Sequence, residues 1–162
     1  MIHILFVCLG NICRSPMAEA IFREKVKKEG LADRIYVDSA GTGDWHIGKP
    51  PHQGTREILK ANRISDEGLF ARQIKTNDLN EYDYIIAMDT ENVKNIKELG
   101  SYSLKVKIKR LLDFVDDHAL TDVPDPYFTG NFDEVYELIN EGCERLLQEI
   151  KKELLEKEKQ YE

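Results

Sequence analysis

Ile2-His3-Ile4-Leu5-Phe6-Val7-Cys8-Leu9-Gly10-Asn11-Ile12-Cys13-Arg14-Ser15-Pro16 is the stretch on which the reading of the whole chain turns. Its first part, Ile2 to Val7, is short, apolar and β-branched, the pattern of a strand buried on both faces. Ser15-Pro16 reads as a helix start, with Ser15 as N-cap and Pro16 at the first helical position. Ala18, Ile21, Phe22 and Val26 form the apolar stripe of that helix, and Gly30 stops it. Between strand and helix, the amides of Leu9, Gly10, Asn11, Ile12, Cys13 and Arg14 can curl round one point. Gly10 and Asn11 tolerate the left-handed conformations that a tight concave turn requires. The orphan amides and positive dipole end of the helix face the same point, and Arg14 adds a planar fork for an oxyanion. The segment is a cup for a tetrahedral oxyanion with the Cys8 sulfur at its floor.

That field also favours the thiolate of Cys8, a nucleophile that needs no histidine base. The Ser15 hydroxyl can donate to the sulfur. Cys13, five residues on, is a candidate disulfide partner for Cys8 under peroxide. Other motifs do not fit. No Gly-Lys-Ser/Thr of a nucleotide loop follows the strand, and Gly41-Thr42-Gly43 lacks the third glycine of a dinucleotide fingerprint. No second Cys or His pair with ligand spacing joins Cys8 and Cys13, so neither a metal nor a cofactor is expected.

Working outward, Ile35 to Ala40 reads as a second strand and His52 to Ala61 as a helix. Tyr82 to Met88 is a third strand, followed by a helix from Thr90 to Leu99, and Val106 to Leu112 is a fourth strand. From Phe132 onward, Val135, Leu138, Ile139, Cys143 and Leu146 recur at helical spacing and predict a long last helix. Its final turns, Lys151 to Glu162, are mostly charged and are expected to fray. Strands alternating with helices predict an α/β, parallel, doubly wound sheet, in which ligands bind beyond the carboxyl ends of the strands.

The chain has 162 residues without repeats or linkers, which suits one domain over residues 1–162. Thirty acidic against 23 basic side chains leave a net charge of -7, which argues against nucleic acid as partner. Three cysteines are too few for a secreted disulfide framework. The longest apolar stretch, Met1 to Leu9, is far below the ~20 residues of a membrane span and lacks signal-peptide flanks. A cytoplasmic protein that does not engage membranes is expected.

Phosphoryl displacement from an aryl ester needs a proton donor at the leaving oxygen. Val123-Pro124-Asp125-Pro126-Tyr127-Phe128 offers one, because two prolines stiffen the backbone round Asp125. A bound phosphate dianion beside that carboxyl would favour its protonated form.

With these residues in hand, the chain is identified as resembling the low-molecular-weight protein tyrosine phosphatases up to about residue 150. The resemblance rests on Cys8-Leu-Gly-Asn-Ile-Cys-Arg-Ser-Pro-Met-Ala-Glu, Asp38-Ser-Ala-Gly-Thr, Trp45-His-Ile-Gly-Lys-Pro, Ala71-Arg-Gln, Met88-Asp and Asp125-Pro-Tyr, in that order. It implies a four-stranded parallel sheet with helices on both faces, a phosphocysteine intermediate and no metal. Cys8 matches the nucleophile, Arg14 the phosphate clamp and Asp125 the general acid and base. Asn11, Ser15 and Ser39 match a hydrogen-bond network behind the loop, while Trp45 and Tyr127 match aromatic walls of the substrate cleft. Asp89 stands where it can support Arg14 or cap a helix. The implied partners are phosphotyrosine proteins or small aryl phosphates, with inorganic phosphate as product and a monomer as the working unit.

Two positions depart from the family pattern. Leu69 stands where many members carry a histidine of the loop network, and Phe128 replaces a second tyrosine beside Tyr127. Three other activities remain open on the same scaffold. Arsenate reductases need relay thiols for which Cys143 is a poor candidate. Arginine phosphatases tend to carry threonine in place of the bulkier Ile12. A phosphate-binding adaptor would not need Cys8, Arg14 and Asp125 together.

Overall fold

The computed structural model describes residues 1–116 and 120–160. Ile2–Cys8 form β1, whose alternate residues face two different layers. Ile2, Ile4, Phe6 and Cys8 enter one apolar cluster, whereas Leu5 and Val7 enter another. That double burial is why the strand carries almost no polar side chain.

In chain order β1 is followed by α1 (Arg14–Lys28), β2 (Ile35–Gly41), α2 (Gln53–Ala61), α3 (Asp78–Glu81) and β3 (Tyr84–Ala87). Next come α4 (Thr90–Lys97), β4 (Lys107–Arg110), a 3-10 turn at Leu111–Phe114, α5 (Pro126–Thr129) and α6 (Phe132–Gln160). The sheet has four strands in the order β2-β1-β3-β4, all parallel. β1 pairs with β2 from Ile2 opposite Ile35 to Cys8 opposite Gly41, and with β3 from Ile4 opposite Tyr84. The chain therefore winds outward in one direction to β2 and in the other to β3. The switch point lies between β1 and β3, the crevice where open α/β sheets bind ligands.

One face of the sheet carries α1 and α6. Met17, Ile21 and Phe22 of α1 meet Val135, Ile139, Cys143 and Leu146 of α6 over Ile4, Phe6 and Ile86. The other face is thinner, with Leu79 of α3 and Ile96 of α4 against Leu5, Val7, Ile85 and Ala87. The expected doubly wound four-stranded sheet with helices on both faces is the observed one.

Several boundaries differ from the sequence reading, each for a physical reason. α1 starts at Arg14 with Cys13 as its N-cap and no side-chain cap bond, so Ser15 lies inside the first turn. Pro16 is tolerated there because first-turn N–H groups lack partners in any helix. β3 and β4 are shorter than Tyr82–Met88 and Val106–Leu112, and Leu111 leaves the sheet to start the 3-10 turn. The last helix runs on past Lys151. It is continuous through Gln160, with Ile150 and Leu154 buried, Lys151 paired to Glu29 at 3.0 Å and Arg34 to Glu158 at 2.6 Å. The end of that expected fray, residues 161–162, lies outside the described residues.

Gly142 is where α6 approaches the 3-10 turn. A Cβ there would stand 2.5 Å from the Cγ of Leu111, a fully buried side chain. Alanine would improve helix propensity by about 1 kcal/mol, but overpacking a closed core costs about 1–3 kcal/mol. Gly142→Ala is therefore expected to lower Tm by a few degrees, measured by thermal denaturation, where a solvent-facing helical glycine would raise it.

Candidate active site

The loop after β1 is shaped by where its carbonyls go. The carbonyl of Cys8 accepts from Thr42 N–H at 2.9 Å and that of Leu9 from Gly43 N–H at 2.8 Å. The carbonyl of Ile12 accepts from His52 N–H at 2.7 Å, and that of Cys13 from the Thr55 hydroxyl at 3.0 Å. No described peptide bond is cis. In a planar trans peptide the N–H points opposite to the C=O, so the amides of Leu9, Gly10, Cys13 and Arg14 are turned away from these anchors. Asn11 takes the left-handed conformation expected of it, at φ 56°, and its N–H reaches the Cys8 sulfur at 3.3 Å. The Ser15 hydroxyl lies 3.0 Å from the same sulfur. Ser15 is spent here rather than on a helix cap.

Arg14 is 2 % exposed, although it carries a full charge. Its Nη1 donates to Asp89 Oδ2 at 2.6 Å and to the Val123 carbonyl at 2.9 Å, and its Nη2 reaches Asp125 Oδ2 at 3.4 Å. Burial works against the guanidinium charge, but the facing Cys8, Asp89 and Asp125 outweigh it and strengthen protonation. Its Nε, also buried, has no partner among the described residues. Both roles considered for Asp89 are real. Its Oδ1 accepts from Asn92 N–H at 2.7 Å as the cap of α4, while its Oδ2 holds Arg14. Asp125 is a cap as well, its Oδ1 accepting from Tyr127 N–H at 3.1 Å at the start of α5.

Behind the loop lies a buried polar cluster. Asn11 Nδ2 donates to Ser15 Oγ at 2.7 Å and to Ser39 Oγ at 3.0 Å, and Asn11 Oδ1 accepts from Arg72 N–H at 3.0 Å. Ser39 in turn donates to Glu19 Oε1 at 2.7 Å. Leu69 is buried in the core and offers the cluster no polar atom. The Arg72 backbone and Glu19 complete the network instead. The sequence reading missed Glu19, because in Met17-Ala18-Glu19-Ala20 a lone acid reads as a solvated helix face. Burial pushes its carboxyl up to about 7, against the Ser39 hydrogen bond and the nearby Arg23 and Arg72, with Asp38 adding to the rise. Burial, helped by Cys8 and Asp125, likewise pushes the Cys13 thiol up to about 12. Cys8, Cys13 and Cys143 are all free.

The mouth of the loop is a cleft of about 370 Å³, within the usual ~300–1,000 Å³ range of small-ligand sites. Cys8, Leu9, Gly10, Ile12 and Cys13 line its base, and Trp45, His46, Asp125, Tyr127 and Phe128 its sides. The residues singled out from sequence thus converge on this cleft, with Asn11, Ser15 and Ser39 in the layer behind it. His46 and Phe128 were given no site role, although both stand inside motifs quoted from the sequence. Trp45, 65 % exposed, lies against bare backbone, because a Cβ on Gly43 would stand 2.0 Å from its ring. Among the described residues no three His, Cys, Asp or Glu side chains converge as a metal site.

Residues 3–157 match the family model described as low molecular weight phosphotyrosine protein phosphatase. The chain belongs to that family. A low-molecular-weight protein-tyrosine-phosphatase of Bacillus subtilis, YfkJ, is 59% identical over 153 residues, covering 94% of this chain and 98% of its own. The crystal structure of YfkJ superposes with a TM-score of 0.92 over 94% of this chain and 96% of that one. PtpA of Staphylococcus epidermidis, a phosphatase of the same name, is 46% identical over 98% of this chain and 100% of its own. An arginine phosphatase of Drosophila shares the fold at a TM-score of 0.84 and 37% identity, covering 91% of this chain and 97% of that one. As a family member the chain is a cysteine-based protein-tyrosine-phosphatase, a hydrolase, and phosphotyrosine is the substrate the family implies. Among the described residues, no helix is long and apolar enough to cross a membrane.

Two outcomes are expected from this geometry. Gly43→Ala should drive the Trp45 ring off the cleft wall at a cost of about 1 kcal/mol of aromatic contact, roughly fivefold in KM for an aryl phosphate. Steady-state kinetics checks it, with kcat less affected. Glu19, raised from 4.5 to about 7, favours the folded state while neutral. As pH rises from about 4.5 to 7 that contribution is lost, so the wild type should lose stability relative to Glu19→Gln across this window. Urea denaturation of both proteins at several pH values measures it.

Proposed function

We propose that this phosphatase hydrolyses phosphotyrosine monoesters and small aryl phosphates through a phosphocysteine on Cys8, without a metal ion. The observation that carries the proposal is the partnering of Arg14. This buried guanidinium is held by Asp89, the Val123 carbonyl and Asp125, yet keeps an unpartnered Nε on the loop that also holds Cys8.

The Cys8 thiolate attacks phosphorus in line with the leaving oxygen, so the S–P bond forms as the P–O(aryl) bond breaks. The Arg14 guanidinium and the inward amides of Leu9, Gly10, Cys13 and Arg14 hold the non-bridging oxygens, and their charge is matched without water having to reorganise. Asp125, protonated beside the dianion, gives its proton to the departing phenolate. In the second step ionised Asp125 takes a proton from water while that water's oxygen attacks phosphorus. The S–P bond breaks, returning the thiolate and releasing inorganic phosphate. Trp45 and Tyr127 flank a flat ring in this scheme, and the Ser15 hydroxyl stabilises Cys8 as the leaving group of the second step.

Phosphoarginine is the second reading, favoured by the likeness to the Drosophila arginine phosphatase. Against it stands Ile12, whose bulky side chain lines the base of the cleft where an aryl ring packs better than a planar cation.

Cys8→Ser should abolish turnover of p-nitrophenyl phosphate, and rapid-quench mass spectrometry of the wild type should show one phosphate bound on the Cys8 peptide. Asp125→Ala should lower kcat by about 10²–10⁴-fold and flatten one limb of the pH–rate profile. Turnover of phosphoarginine faster than phosphotyrosine by the wild type would reverse the order of the two readings.

A further inference from the structure

Glu19 is an acidic side chain in α1, 7 % exposed, that the dephosphorylation scheme does not use. It is nevertheless joined to the nucleophile by an unbroken series of hydrogen bonds. The direction of that series can be deduced. Arg72 N–H donates to Asn11 Oδ1, which pins the amide and leaves its Nδ2 facing the two serines. An amide nitrogen has only hydrogens to offer, so both hydroxyls accept from it and each has one hydrogen left to give. The Ser39 hydrogen goes to Glu19 at 2.7 Å. The Ser15 hydrogen goes to the Cys8 sulfur at 3.0 Å, the Ala40 carbonyl at 3.5 Å being the longer choice.

We propose that Glu19 is a positioning residue for Cys8: by accepting the Ser39 hydroxyl it holds Asn11 as a double donor and so keeps the Ser15 hydroxyl donating to the sulfur. The proposal rests on the reading of Cys8 as the working nucleophile and deepens it. Without an acceptor at position 19, Ser39 would have to turn its hydrogen toward Asn11. The amide would then lose a partner, and the Ser15 hydrogen would be free to leave the sulfur for Ala40. An ionised carboxylate is the stronger acceptor, so the relay acts most firmly when Glu19 carries its charge.

The groups that set this charge come from each element packed round it. On α1 Arg23 Nη1 lies 3.5 Å from Glu19 Oε2. On β2 the charge of Asp38 acts on it, and beyond β2 stands Arg72, itself paired to Asp38 at 3.1 Å and to Asp78 at 3.0 Å. Two cations thus favour the charged form, and burial with Asp38 opposes it. The balance leaves the carboxyl titrating at about 7. The relay is therefore strengthened as the carboxyl ionises near neutrality.

The test is the pH dependence of Cys8 alkylation by iodoacetamide, followed by peptide mass spectrometry, alongside kcat and KM for p-nitrophenyl phosphate. The wild-type alkylation curve should carry a second inflection near 7, which Glu19→Gln removes. Glu19→Leu, which leaves no acceptor, should move the main midpoint upward and lower kcat roughly tenfold with little change in KM. Glu19→Gln, which keeps an acceptor oxygen, should restore kcat to within about threefold. Ser39→Ala combined with Glu19→Leu should be no worse than Ser39→Ala alone, because the relay is already cut. Should Glu19→Leu not fold, the Glu19→Gln inflection and Ser39→Ala still decide. A Cys8 curve identical in the wild type and Glu19→Gln, or additive losses in the double variant, would overturn the proposal. Alkylation needs no turnover, so a wild type inactive on aryl phosphates would defeat the proposed function while the curve still judges Glu19.

Discussion

A guanidinium taken out of water must be met by opposite charge and hydrogen-bond acceptors, or the fold could not bear it. Arg14 imposes that requirement here. Its partners come from two distant stretches: Asp89 just past β3, and Val123 and Asp125 in the run before α5. Breaking a buried pair costs about 3–5 kcal/mol, so these segments cannot drift independently. The loop after β1, the far side of the switch point and the Pro-flanked aspartate are fixed relative to one another by a single side chain. The same arrangement leaves one nitrogen of that side chain unused, and a phosphoryl oxygen is the acceptor that suits it.

The cleft above is positioned less by charge than by close contact. Gly43 lets the Trp45 ring rest on backbone, and Gly10 lets the His46 ring approach the loop, where an added Cβ would stand 3.1 Å from Cδ2. Opposite, Tyr127 follows directly from the α5 cap that Asp125 makes. Each wall of the cleft is thus tied to its base, one through the loop and the other through Asp125. An aromatic substrate would touch both attachments at once.

Much of this was legible in the chain because the informative residues are consecutive. Ile2 to Val7 can only be a doubly buried strand, and Cys8 to Ser15 holds its chemistry within one turn, so strand, cup and crevice followed from local pattern. What was not legible depends on neighbours brought from afar. Ser15 has the look of a helix cap, but a sulfur and an amide compete for its hydroxyl. Glu19 has the look of a solvated acid until β2 places Ser39 against it. α3 and α5, four residues each, are too short for any periodic signal. The charged end of α6 read as weak because its ion pairs, with Glu29 and Arg34, lie more than a hundred residues earlier in the chain.

The pairing of α1 with α6 has a consequence for synthesis on the ribosome. β1 and the cysteine loop emerge first, yet Ile21 and Phe22 lack the cover of α6 until Val135 to Leu146 has been made. Arg14, too, waits for Asp125 before its charge is fully matched. Contacts of such long sequence separation form late, and a nascent chain with apolar surface bare is prone to association. Cys8, the proposed nucleophile, is thus among the first residues translated and among the last to be made ready.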